Sequence, residues 1–279
     1  MSTAPGGATG PARLRARYSK TGKVRFTSHR DVVRMWERAL RRSGLQVAWS
    51  EGYSPRPLLS FGPALPTGAE SLAEYLDVTL APEPLEPLGA NGTRRAGEHA
   101  QEALLEGLAT RLSAFLPVGV DVQAVAPLPM GSESLQQEVS SCSWKLEVFG
   151  LASEELRSRV ERLLAAPTAL IERERKGRIT SDDLRPAVLA LTAVPCAEDG
   201  VTGEPTAHPG NAWLEAELAT RPRGVRPREL VEVLGPGTRL SRACRLHQWI
   251  ERDGARTEPL VICGHDAGTA ATHAHRRAS

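Results

Sequence analysis

The chain has 279 residues, 41% of them hydrophobic, and its formal net charge at pH 7 is +2. This apolar content is enough to build a packed core, which excludes a globally disordered chain. No apolar run approaches the roughly 18 residues that cross a membrane, and the first residues lack the apolar core of a secretory signal. We therefore expect a cytoplasmic protein without membrane contact, with about two domains for its length.

The small net charge hides an uneven distribution. Residues 11–60 carry twelve Arg or Lys side chains against three Asp or Glu. A local excess of this kind predicts an anionic partner. Only four of the 35 basic residues are lysine, so a general bias of the composition towards arginine is the competing explanation.

The first half of the chain predicts a βαββαβ unit over residues 12–127, after a disordered tail over 1–11. RLRARYS alternates apolar residues with Arg13, Arg15 and Arg17, which predicts a strand with a basic outer face. After a turn at SKTGK, VRF is expected to continue this strand or to pair back on it. DVVRMWERALRRS follows as a helix with an apolar stripe.

Two residues mark the ends of this helix. Ser28 is the expected N-cap, with Asp31 three residues later as its partner, and Gly44 is the expected left-handed residue that ends the helix. Further strands, a Pro/Gly-rich insertion and a second helix complete the unit.

The second half repeats the same order of elements over residues 140–252, followed by a disordered tail over 253–279. It opens with the alternating strand CSWKLEVFG and the helix SEELRSRVERLLAA. The predicted fold is therefore α+β, with two tandem ferredoxin-like (βαββαβ) units and disordered tails at both ends.

Motifs for cofactor chemistry are missing from the sequence. It has no phosphate-binding glycine loop, no zinc-binding spacing and no cysteine cluster for an iron–sulfur centre. Its cysteines, Cys142, Cys196, Cys244 and Cys263, are widely separated, as expected for reduced thiols. We expect no metal and no cofactor on this chain, and no redox catalysis by the chain alone.

The predicted helix offers two kinds of functional side chain. His29 lies in its first turn and could act as a general acid or base, although a capping or packing role is the simpler interpretation. Arg34, Arg38 and Arg41 are spaced to share one exposed face that could contact phosphates. The alternative is a solvated helix surface on which Glu37 pairs with its arginine neighbours.

The stretch EGYSPRP is a stiff loop. Pro55 and Pro57 restrict the backbone on either side of Arg56, so little entropy is lost when the loop binds a ligand. Arg56 could hold a phosphate, and Tyr53 could stack on a base. A turn that protects an edge strand explains the same prolines.

The segments RFTSHRDVVRMWERALRRSG and SEGYSPRPLLSFGPALPTGAESLAEYLDVTL closely resemble the radical-SAM-linked family of bacterial domains of unknown function, in its stand-alone form. The resemblance spans residues 13–80 and continues through SDDLRPAVLAL at 181–191. It implies a radical SAM protein as partner, with S-adenosylmethionine and a 4Fe-4S cluster on that partner. It also implies a functional surface at the positions of the family signature: Ser28, His29, Glu51, Tyr53, Pro55, Arg56, Pro57, Ser60, Phe61, Glu70, Ser71, Asp183 and Arg185.

A fainter, architectural resemblance links tandem ferredoxin-like units and a histidine near the first helix to RAMP-type repeat-processing endoribonucleases, which need no metal. Fold-level likeness of this kind is an analogy only. The glycine-rich loop near the C-terminus of those enzymes has no convincing counterpart here.

Three hypotheses follow for the function. The leading one is a non-catalytic accessory module of a radical SAM system that binds structured RNA, tRNA or rRNA, with no role in DNA binding. The second is a metal-independent endoribonuclease that uses His29. The third is a protein-docking module without an RNA role, in which Phe61 and Leu65 contact the radical SAM partner.

Overall fold

The computed structural model describes residues 12–81, 94–129, 131–175, 177–194, 211–252 and 254–260. The N-terminal tail predicted over 1–11 lies outside these residues, and so does most of the Pro/Gly-rich insertion of the first half. Cys196 and Cys263 also lie outside them.

The described residues form five α-helices and eleven strands. The helices are α1 His29–Ser43, α2 Arg94–Phe115, α3 Leu135–Glu138, α4 Ser153–Ala165 and α5 Pro227–Val233. The strands are β1 Arg13–Lys20, β2 Leu59–Phe61, β3 Glu70–Thr79, β4 Val120–Leu128, β5 Val139–Phe149, β6 Leu170–Arg175, β7 Arg178–Asp183, β8 Val188–Val194, β9 Asn211–Ala219, β10 Arg239–Arg252 and β11 Ala255–Thr257.

Nine of the strands belong to one large sheet, in the order β4-β1-β3-β10-β5-β9-β8, with β2 added beside β3 and β11 beside β10. Its pairings are antiparallel except where β10 meets β3 in parallel, with Cys244 opposite Glu70 and Arg245 opposite Ser71. The two halves of the chain therefore meet inside a single sheet. The predicted α+β class is confirmed, whereas the division into two ferredoxin-like units stays a prediction.

Each half has its own apolar core. In the first half, Trp36 and Leu40 of α1 are completely buried against β1 and β3, and the rings of Trp36 and Tyr18 meet edge to face at 5.0 Å. In the second half, Leu146 of β5 and Leu156 of α4 are completely buried in a separate cluster. The apolar spacing of both helices and the alternation of both strands produce these cores.

Helix α1 begins and ends where the sequence predicts. The Ser28 hydroxyl accepts a hydrogen bond from the backbone N–H of Asp31 at 3.3 Å. The same hydroxyl donates to the Asp31 carboxylate at 2.6 Å, and this bond lowers the pKa of Asp31. Gly44 has φ of 75°, a conformation that glycine adopts without strain.

The basic outer face predicted for β1 is wrong. Arg15 is 2% exposed, and its guanidinium donates to Asp77 at 2.7 Å and to Glu138 at 3.0 Å. The Arg17 side chain is 11% exposed and lies 3.4 Å from Glu258. Helix α3 and residues 258–260 cover this face and supply acidic partners, which the strand's own alternation could not reveal.

Two further segments differ from the prediction. VRF, expected to continue or pair with the first strand, forms a 3-10 turn over Gly22–Phe26. The C-terminal tail was predicted as disordered from residue 253, but Ala255–Thr257 forms β11 and pairs with the end of β10. The sequence dipeptide Asp–Gly at 253–254 is typical of a hairpin turn and is the signal that could have found it.

Candidate nucleic-acid interface

The outward face of α1 is rich in arginine. At about 100° of rotation per residue, Arg30, Arg34, Arg38 and Arg41 fall within an arc of about 80°. All four are exposed, and they lie opposite the buried side that Trp36 marks. Arg34 has an exposed partner in Asp31 at 3.7 Å, a pairing that water and salt weaken strongly. The face therefore presents a row of positive charge to solvent.

The stretch that contains Tyr53 and Arg56 is the tip of a hairpin. The N–H of Leu58 donates to the Ala48 carbonyl at 2.9 Å, and the N–H of Ser50 donates to the Arg56 carbonyl at 2.8 Å. The Ser50 hydroxyl also accepts from the N–H of Arg56 at 3.0 Å. These bonds hold the base of the hairpin, while Tyr53 at the tip is fully exposed.

The base of this hairpin continues the sheet. The N–H of Thr79, at the end of β3, donates to the Leu58 carbonyl at 3.1 Å, and the Thr79 carbonyl accepts from Ala48 at 2.9 Å. The edge-protecting interpretation of the loop therefore has support at its base. The tip, residues 51–55, is exposed and stays open to a binding role.

Two ring contacts join α1 to the hairpin and to β2, the strand that follows the hairpin. The Arg41 guanidinium lies over the ring of Trp49, 5.0 Å from its centroid, at the C-terminal end of the helix. His29 meets the ring of Phe61 edge to face at 5.1 Å at the N-terminal end. The structure thus brings the arginine face, His29 and the hairpin into one surface.

His29 itself is exposed. Its ring packs against Phe61, and among the described residues neither an acid nor a base is hydrogen-bonded to it. A general acid–base mechanism needs a second group within reach of the reacting atoms. The arrangement fits a packing role for His29 better than a catalytic one.

Glu70 and Ser71 of the signature are buried at the start of β3. The Glu70 carboxylate accepts from the N–H of Gly22 at 2.8 Å, from Arg25 at 3.3 Å and from Arg242 at 3.3 Å. Ser71 is completely buried and accepts from the N–H of Ala73 at 3.2 Å. Glu70 thus holds the turn that leads into α1, and because both residues are buried, neither forms part of the exposed surface.

Arg245 of β10, which sequence reasoning missed, anchors the loop that follows Phe61. It is 2% exposed, and its guanidinium donates to the carbonyls of Pro63 at 2.9 Å and Ala64 at 3.1 Å and to the Glu74 carboxylate at 2.8 Å. Burial opposes its charge, but Glu74 and other neighbours outweigh this effect, and the pKa of Arg245 lies above its ordinary value. A residue of the second half thereby fixes the loop between β2 and β3 of the first half.

The remaining signature residues, Asp183 and Arg185, belong to the second half. The Asp183 carboxylate accepts backbone N–H groups of Ala169 at 2.7 Å and Arg185 at 3.0 Å. These bonds lower the pKa of Asp183. The Arg185 guanidinium donates to the carbonyls of Leu164 and Val188. The pair fixes a turn, and its contacts are with backbone.

Across the part of the chain that the structure describes, no group of three or more His, Cys, Asp or Glu side chains is arranged to hold a metal ion. No helix within that same part is long and apolar enough to cross a membrane.

A family model described as "Uncharacterized protein conserved in bacteria (DUF2344)" matches residues 13–209. Because this match covers more than half of the chain, the protein belongs to that family. No curated protein matches the chain.

Among solved structures, the chain is similar to one in "Crystal Structure of a Cbf5-Nop10-Gar1 Complex", with 8% sequence identity and a TM-score of 0.41. The match covers 84% of this chain and 48% of that chain, so the protein spans about half the length of this neighbour. A likeness this weak carries no argument about the function.

Proposed function

We propose that this family member is a non-catalytic accessory module that binds structured RNA, tRNA or rRNA, and presents it to a radical SAM enzyme on another chain. The observation that supports the proposal is the exposed arginine face of α1 beside the hairpin that projects Tyr53 and Arg56. Guanidinium groups bind phosphates, and an exposed ring stacks on an unpaired base.

The radical SAM part of the proposal rests on the resemblance of residues 13–80 and 181–191 to the radical-SAM-linked family. In this arrangement S-adenosylmethionine and the 4Fe-4S cluster belong to the partner, and the present chain supplies the RNA-binding surface. The reacting nucleotide would then be modified on the partner.

The docking alternative loses support from the positions of its two apolar residues. Phe61 is partly buried and packs against the core of the first half, and Leu65 packs against the core of the second. Side chains that stabilise the two cores are poor candidates for an exposed docking ledge.

The RNA interaction is tested by Arg34→Ala with Arg38→Ala, compared with a matched pair on α4, Arg157→Ala with Arg162→Ala. Binding to total tRNA and rRNA is measured at several salt concentrations. Because each lost phosphate contact removes about 0.7–0.9 from the slope of log K against log salt, we expect the first pair to weaken binding and to reduce the slope by about 1.4–1.8. The α4 pair is expected to bind like the unchanged protein.

Unchanged binding of every RNA fraction by the α1 pair would overturn the proposal. Partnership is tested by a pull-down of the tagged protein from its own cells, divided into nuclease-treated and untreated halves. A radical SAM protein that is lost with nuclease would show that RNA bridges the two chains. Cleavage of RNA in EDTA by the unchanged protein, and its loss in His29→Ala, would favour the endoribonuclease instead.

A further inference from the structure

Three large aromatic side chains of the first half are exposed: Phe26 just before α1 in the chain, and Trp49 and Tyr53 in the hairpin that contacts the end of α1. Their exposed fractions are 64% for Phe26, 41% for Trp49 and 107% for Tyr53. Burying such a ring is strongly favourable, so several exposed rings close to one helix mark a candidate interaction surface.

Two of these rings have an arginine guanidinium lying over them. The guanidinium of Arg25 lies 4.8 Å from the ring centroid of Phe26, and that of Arg41 lies 5.0 Å from the ring centroid of Trp49. An aromatic ring beside a guanidinium offers a flat apolar face for a base and a positive charge for the neighbouring phosphate. The Arg25 guanidinium also pairs with Glu70 at 3.3 Å, so Phe26 contributes chiefly its ring.

The two pairs lie at opposite ends of α1. Phe26 precedes the N-cap Ser28, and Trp49 contacts Arg41 in the last turn of the helix. From His29 to Arg41 the helix rises about 18 Å, and Arg34 and Arg38 lie on the exposed face between them. The surface is therefore an arginine row with a ring–guanidinium pair at each end.

We propose that this surface binds an unpaired RNA strand, with bases stacked on Phe26, Trp49 and Tyr53 and with phosphates along the arginine row. The inference rests on the proposed function and narrows it to the single-stranded loops or ends of a structured RNA. A duplex keeps its bases stacked inside the helix and offers mainly phosphates and 2′-hydroxyls, so it would leave these rings without a partner.

The second half contains a matched control. Phe149 is 43% exposed and has the Arg239 guanidinium 4.9 Å from its ring centroid. It precedes α4, much as Phe26 precedes α1, but the arginines of α4 are balanced by an equal number of glutamates. A ring–guanidinium pair without an arginine row beside it is not expected to bind RNA.

The test uses the full chain and two fluorescein-labelled probes: a single-stranded RNA without self-complementarity and its perfect duplex with the complementary strand. Binding is measured by fluorescence anisotropy. We expect the single strand to bind more tightly than the duplex. We also expect Phe26→Ala and Tyr53→Ala each to weaken single-strand binding by about 5- to 150-fold, the range for losing one stacked base. Phe149→Ala should leave it unchanged.

Tyr53 is fully exposed at the hairpin tip, so its replacement tests stacking without removing a packed side chain. Trp49→Leu is a third variant and is expected to weaken single-strand binding over the same range, with an unchanged unfolding midpoint as the check that the variant is folded. Equal binding of single strand and duplex, or single-strand binding that survives Phe26→Ala and Tyr53→Ala, would overturn the inference and leave the proposed function standing. Failure of the unchanged protein to bind either probe or any cellular RNA would overturn both.

Discussion

Helices α1 and α4 follow the first strand of their respective halves and pack on the same sheet, yet their surfaces differ. Helix α1 carries five arginines against two acidic residues, and α4 carries three against three. In α4, Arg157 pairs with Glu154 at 2.8 Å and Arg159 pairs with Glu155 at 2.6 Å. Both helices come from one arginine-rich chain, so composition alone does not produce the unbalanced face of α1.

The two halves also differ in how their loops are supported. The loop between β2 and β3 belongs to the first half, but Arg245 of the second half donates hydrogen bonds to its carbonyls at Pro63 and Ala64. Ala69, near the end of the same loop, is buried in the core of the second half. The conformation of this loop of the first half therefore depends on the folding of the second half.

The largest expected effect comes from breaking this dependence. Arg245→Met leaves the Glu74 carboxylate, 9% exposed and 2.8 Å from the guanidinium, without its partner. Because an unpaired buried charge is costly, we expect the free energy of unfolding to fall by about 3–5 kcal/mol, as measured by urea denaturation.

A double variant separates the unpaired charge from the lost loop contacts. Arg245→Met with Glu74→Leu is expected to recover part of the stability, since no charge is left buried. Arg239→Met, at an exposed position of the same strand, is the control and should change stability by no more than about 0.5 kcal/mol. A single variant as stable as the unchanged protein would show that the two halves do not depend on this contact.

The next effect sharpens the comparison between the two helices. Ser28 caps α1, whereas the N-cap of α4 is Ala152, which has no side-chain cap. The φ and ψ angles are −70° and 160° at Ser28 and −72° and 154° at Ala152, so a serine fits both positions. We expect Ser28→Ala to destabilise the protein by about 1 kcal/mol and Ala152→Ser to stabilise it by about 0.5–1 kcal/mol. Thermal and urea unfolding of both variants measures these changes, and a loss of stability in Ala152→Ser would contradict the explanation.

Much of the first half could be predicted from the sequence, because its signals are local. The apolar spacing, Ser28 and Gly44 define α1, and the same spacing places Arg34 and Arg38 on its exposed face. The burial of Arg15 on β1 could not be predicted in this way, because the segments that cover its side chain lie more than 100 residues away in the chain.

The support of the candidate site could not be predicted for the same physical reason. Arg245 and Glu74 are 171 positions apart, and the alternation of β10 gives no indication that this arginine points into a buried acidic site. The family signature pointed to Glu70 and Ser71, but whether such residues form a surface or support one from below depends on tertiary packing.

The smallest expected effect concerns Asp183, a signature residue whose contacts are structural. Backbone N–H groups of Ala169 and Arg185 donate to its carboxylate and lower its pKa. A carboxylate with a lowered pKa stabilises the folded state above its unfolded pKa of about 3.9, and this contribution is lost as the pH falls through the folded pKa.

We expect Asp183→Asn to be less stable than the unchanged protein at neutral pH, with a difference that shrinks below about pH 4. Urea denaturation at several pH values measures it, with Asp121→Asn at an exposed position of β4 as the control. If Asp183→Asn keeps the pH profile of the unchanged protein but loses RNA binding, Asp183 contributes to the interface. That result would contradict the assignment of the RNA-binding surface to the first half alone.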